Sequence, residues 1–161
     1  MAEDAKIEAR FWKELKASPF LMLGLDGVRD GHTQPMTAQF DGEGSGPLFF
    51  FTTADNGLVM SLGTSSRAIA TFTGKGHDLF ASIHGNLSVD NDPATIDRLW
   101  NPHVAAWFEG GRNDPRIALL RLDTERASLW LGGSALGAVM TQLFGRDPKE
   151  DYKGKMAEVA L

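Results

Sequence analysis

From Leu79 to Val89 the side chains alternate with a period of two. Leu79, Ala81, Ile83, Gly85, Leu87 and Val89 fall on one face, and Phe80, Ser82, His84, Asn86 and Ser88 on the other. A helix repeats every 3.6 residues and cannot sort a run this way, so the pattern predicts a long strand with one face in a core. Such a strand needs partners on both edges. Candidates are Phe20 to Leu25, Thr33 to Phe40, Pro47 to Thr53 and Ala68 to Thr73, rich in β-branched or large apolar residues and separated by turn-formers such as Asp26-Gly27, Asp41 to Gly46 and Gly74-Lys75-Gly76. Ile117 to Leu122 and Ala127 to Leu131, split by the polar Asp123 to Arg126, read as a closing hairpin. The expectation is six or seven antiparallel strands, mainly β with flanking helices, closed into a barrel that hides its edges.

Three helical patterns flank these strands. Ile7, Phe11, Trp12 and Leu15 form one apolar stripe within Asp4 to Lys16. Asn56 to Leu62 has room for two helical turns, and Asp92-Pro93 supplies a cap and first residue for a helix presenting Ile96, Leu99, Trp100, His103 and Trp107. Beyond Gly132 the signal fades: Leu136, Val139, Met140 and Leu143 share a helical face, while Met156 to Leu161 is ambiguous. With 161 residues, 42% of them hydrophobic, the chain fits one domain spanning 1–161, with an N-terminal helix over 1–17 and a C-terminal extension over 132–161 of uncertain structure.

Several classes of chemistry are set aside. Sixteen basic against 21 acidic residues leave a formal net charge of -5 and no basic stripe, which disfavours a nucleic-acid partner. There is no cysteine, hence no disulfide, thiolate metal site or Cys nucleophile. His32, His77, His84 and His103 show no metal-ligand spacing, so no metal is expected; the serines lie in no Gly-x-Ser-x-Gly context and no catalytic residue is assigned. The N-terminus lacks the basic and apolar regions of a secretory signal, and no apolar run approaches the ~20 residues that span a bilayer. A soluble, cytoplasmic protein with no membrane partner is the expectation.

The order of segments carries more than any one motif. A helix, then Gln34-Pro35-Met36-Thr37, then Phe49-Phe50-Phe51-Thr52-Thr53, later Leu99-Trp100-Asn101-Pro102, Trp107-Phe108-Glu109-Gly110, Asp114-Pro115 and Trp130 together resemble the general stress protein branch of the pyridoxamine 5'-phosphate oxidase-like family, the FMN-binding split barrels. The resemblance covers Phe11 to Leu131. It implies a homodimer with two FMN sites at the interface, Gln34, Pro35, Met36 and Thr37 along the flavin's pyrimidine edge, Phe51, Thr52 and Thr53 beside the ribityl chain, and Asn56, Gly57 and Leu58 near the phosphate. Trp130 is the candidate for stacking on the ring. FAD or another flavin-like ligand is an alternative.

Two positions depart from the family pattern: Gln34 stands where members commonly carry Arg, and Leu58 where they carry Lys. Each charge-assisted bond lost from a phosphate is worth about 1.5–3 kcal/mol. Arg67, Lys75 or a cation from the partner subunit are candidate replacements. Read without the resemblance, Gln34 to Thr37 is an edge strand with a proline, Thr52 and Thr53 are ordinary strand residues, and the tryptophans are packing. Two functions therefore stand: a flavin-dependent oxidoreductase of the general stress type acting on an unknown small molecule, or a non-enzymatic barrel that has lost or weakened flavin binding and serves as an interaction or ligand-sequestering module.

Overall fold

The computed structural model describes residues 2–132 and 156–161. The chain begins with helix α1 (Ala2–Ala17), whose buried residues are the predicted stripe, Ile7, Phe11, Trp12 and Leu15. Strands β1 (Phe20–Leu25), β2 (Thr33–Thr37), β3 (Gln39–Phe40) and β4 (Leu48–Thr53) follow. After them come the short helix α2 (Gly57–Met60), strands β5 (Ser66–Thr73) and β6 (Leu79–Val89), and helices α3 (Pro93–Leu99) and α4 (Pro102–Ala105). Strands β7 (Ile117–Leu131) and β8 (Met156–Ala160) complete the order.

The strands pair antiparallel in the order β2-β1-β5-β6-β7-β4-β3, with β8 added to β7. β6 takes one edge of β7 from Leu120 to Leu131, so β4, against Ile117 to Leu122, and β8, against Arg126 to Trp130, must share the other. The two ends of this order do not stay apart: β2 contacts β4, and the sheet curls into a split barrel. Inside lies the main core, built on Leu23, Leu48, Phe50, Ile83, Leu87, Leu120 and Leu122, with Phe11 and Leu15 of α1 against it. Alternation on β4 and β7 sends Phe49, Ile117 and Leu119 the other way, into a second core with Ile96, Leu99, Val104 and Phe108 of the α3–α4 segment.

Three expectations change. The strand count is eight, because Thr33 to Phe40 breaks at Ala38, whose N–H turns aside to the Pro19 carbonyl at 2.7 Å, and because the tail forms β8. The closing hairpin does not exist: β7 runs unbroken for 15 residues. Between His84 and Gly85 the register with β6 shifts, so Glu125 is an extra residue opposite neither. A Cβ on Gly85 would collide with the Asp123 carbonyl, which explains glycine at that close approach. Finally, the late helix is two helices, divided where Pro102 holds Asn101 extended at φ -148° and ψ 168°. The helical face expected over Leu136 to Leu143 lies outside the described residues. No helix among the described residues is long and apolar enough to cross a membrane.

Candidate functional site

Where the curled sheet brings its ends together, a groove of about 330 Å³ opens. One side is β2, which contributes Gln34, Pro35, Met36 and Thr37. Proline suits this strand because, among the described residues, β2 ends the sheet and its outer edge has no strand partner. The other side is β4, giving Phe51, Thr52 and Thr53, and continues into Asn56. Phe20 of β1 and Gln39 of β3 flank the floor, and His103, Val104, Trp107 and Phe108 form a wall from α4 and the turn after it.

Across the seam, Gln34 and Asn56 bond amide to amide. Gln34 Nε2 donates to Asn56 Oδ1 at 2.9 Å, and Asn56 Nδ2 donates to Gln34 Oε1 at 2.8 Å. Asn56 Oδ1 also accepts from the Leu58 N–H at 2.9 Å, capping α2. One side chain thus starts a helix and fastens β2 to the end of β4. Asn101 likewise makes two connections. Its Oδ1 accepts from the Val104 N–H at 3.0 Å, and its Nδ2 donates to Gln39 Oε1 at 3.1 Å, tying the α4 wall to the floor.

That wall packs through Trp100, which meets Phe51 edge-on at 6.0 Å and Phe108 at 6.3 Å. Below it, Asp114 is buried and fixes the loop that returns to β7. Arg116 donates to it from Nε at 3.1 Å and Nη2 at 2.7 Å, and the Arg116 and Gly110 N–H groups add bonds at 2.9 and 3.1 Å. These donors hold the Asp114 carboxyl below the usual carboxylate range.

Eight of the eleven sequence-derived site residues line the groove: Gln34, Pro35, Met36, Thr37, Phe51, Thr52, Thr53 and Asn56. The other three do not. Gly57 stands just beyond Asn56, Leu58 is 3% exposed within the main core, and Trp130 faces its register partners Phe80 and Met156 outside the groove's lining. Sequence reading missed Phe20, Gln39, His103, Val104 and Phe108 as lining residues. It also placed Trp107 on a buried helix face, whereas Trp107 is 81% exposed and rims the groove. Their i, i+4 spacing already put His103 and Trp107 on one face; the break at Pro102 and the turn after α4 expose them.

The profile of the family described as Pyridoxamine 5'-phosphate oxidase like matches residues 6–146. The chain belongs to the pyridoxamine 5'-phosphate oxidase-like family. A solved general stress family protein from Xanthomonas campestris pv. campestris is 57% identical, superposes with a TM-score of 0.79, and is matched over 84% of this chain and 93% of its own. The general stress FMN/FAD binding protein from Xanthomonas citri is 56% identical with a TM-score of 0.77, over 81% of this chain and 92% of its own. General stress protein 26 from Jannaschia sp. CCS1, at 27% identity, superposes at 0.79 over 98% of this chain and 99% of its own. Protein bli-3 of Neurospora crassa is 28% identical over 83 residues, which are 47% of this chain and 40% of that relative's length.

The groove has a lining suited to a flat heteroaromatic ring. Phe20, Phe51, Trp107 and Phe108 offer apolar faces, while Thr37, Thr52 and Thr53 hydroxyls can meet a polar edge. Among its lining residues His103 is the one titratable side chain.

Proposed function

We propose that this member of the pyridoxamine 5'-phosphate oxidase-like family is a flavin-binding protein of the general stress type, holding FMN non-covalently in the groove between β2, β4 and α4. The observation that carries the reading is the groove itself: an aromatic slot lined by no Asp, Glu, Lys or Arg and edged by amides and hydroxyls, at the barrel seam. The general stress FMN/FAD binding protein from Xanthomonas citri, 56% identical, supports it.

Within that reading each group has its own part. Thr52 and Thr53 hydroxyls would hydrogen-bond the ligand's polar chain, and the β2 edge would meet its ring edge. Trp107 and Phe108 shield one side from water, which strengthens polar contacts inside. His103 is placed to give or take a proton at its ring nitrogens. When bound, the flavin supplies electron transfer, and the protein supplies orientation and dielectric. The proposed activity is oxidoreduction of a small molecule.

Phe20 at 64% and Trp107 at 81% exposure leave the groove bordered by bare aromatics. A second copy of the chain closing over them is the proposed homodimer, and its light-scattering mass tests it. The site reading is tested by titrating purified protein with FMN: saturable quenching of flavin emission is expected. No quenching and no calorimetric heat with excess FMN would exclude it. If FMN binds yet the loaded protein accepts no electrons from any reductant, the ligand-sequestering reading replaces the oxidoreductase.

A further inference from the structure

A phosphate monoester brings close to two negative charges, and the positions that would answer them by resemblance cannot. Leu58 is 3% exposed in the main core, so its side chain does not reach the surface. Gln34 carries no charge, and both ends of its amide are engaged by Asn56. Nor are the obvious replacements open. Arg67 is paired with Glu125 and bonded to Asn86 at 3.1 Å, and Arg116 is held by Asp114. Lys75 sits in the β5–β6 turn, at the opposite end of β5 from the segment that meets Asp26.

Arg29 is different. It lies in the β1–β2 connection, is exposed, and among the described residues its guanidinium makes neither an ion pair nor a side-chain hydrogen bond. Its position is nonetheless defined by a contact with Gly57. A Cβ built on Gly57 would stand 2.5 Å from Nη1, 3.0 Å from Cζ and 3.2 Å from Nη2. The planar group therefore lies against the bare Cα of the residue next to Asn56, where the groove ends. Asp30, the next residue in the chain, is exposed and makes no ion pair with Arg29, and Asp55, two residues before Gly57, lies in the field of Arg116.

We infer that Arg29 supplies the cation for the ligand's anionic end and so makes this groove select a phosphorylated flavin over its unphosphorylated form. The inference rests on the flavin reading and adds to it the residue that sets the preference. A guanidinium offers a fork of donors that matches phosphate oxygens, and here glycine at position 57 leaves the space that fork occupies.

The test compares FMN with riboflavin, which differ only by the phosphate, through fluorescence-quenching titrations of the wild type, Arg29→Ala, Arg29→Lys and Gly57→Ala, with far-UV circular dichroism confirming folding. The wild type is expected to bind FMN more tightly than riboflavin. Arg29→Ala should weaken FMN by roughly ten- to a hundredfold and leave riboflavin unchanged. Arg29→Lys should keep part of the preference, and Gly57→Ala, which displaces the guanidinium, should lose part. Equal wild-type affinity for both flavins, or an Arg29→Ala that weakens both alike or neither, overturns the inference while leaving the flavin reading intact. Failure of the wild type to bind either flavin overturns both.

Discussion

Gln34 and Asn56 clasp each other through two antiparallel amide bonds, at 2.9 and 2.8 Å, across the place where the two ends of the sheet meet. The same Asn56 oxygen caps α2. Position 34 therefore closes the seam in this chain, where the resemblance implies a cation.

That clasp should be measurable. Asn56→Ala removes a cap and strands a half-buried amide, so urea unfolding should show a loss of about 1–2 kcal/mol. Gln34→Ala should cost less, since Asn56 keeps its bond to Leu58. A double-mutant cycle should return a coupling of about 0.5–1 kcal/mol, and additive single effects would show that the pair does not cooperate.

Leu58→Lys, which would bring the chain closer to the family pattern, is expected to harm it. The ammonium would enter the core at a position 3% exposed, with no acid among the core residues around it. A loss of about 4 kcal/mol is expected on chemical denaturation. A variant as stable as the wild type would mean that this side chain can escape to solvent.

Acid should loosen the loop below the groove wall. The Asp114 carboxyl is held below its ordinary range by Arg116 and two backbone N–H groups, so its unfolded value, about 3.9, is the higher of the two. Its stabilisation is complete above about pH 4 and is lost as the pH falls from there through the folded value. Tm measured between pH 5 and pH 2 should fall less steeply in Asp114→Asn, which should itself be less stable at neutral pH. Parallel curves for the two proteins would show that Asp114 contributes nothing to acid sensitivity.

Trp107 separates binding from folding. Because it is 81% exposed, Trp107→Ala should shift unfolding by less than about 0.5 kcal/mol. Loss of its ring from the groove should still weaken FMN by about fivefold. A large loss of stability would contradict the exposed placement.

The strands that local pattern defines were legible: Phe20 to Leu25 and Leu79 to Val89 have the predicted bounds. The two apolar halves of β7 were also visible, but their continuity was not. Asp123 to Arg126 carries the composition of a turn, and only pairing with a partner distant in sequence, bulged at Glu125 opposite Gly85, keeps it extended. Most of the groove came from β2 and β4 through the ordered motifs. The contact of Arg29 with Gly57 was not legible, since it joins two residues far apart in sequence and no periodicity records that. The break at Pro102 was written in the sequence and outweighed by the apolar spacing around it.

The α3–α4 segment has a core of its own, in which Ile96, Leu99, Val104 and Phe108 sit on the outward residues of β4 and β7 while the barrel interior is filled by a separate set. Substitutions that reshape what the groove admits can therefore accumulate in one set of side chains without disturbing the other. A lineage can change its ligand while inheriting the same barrel.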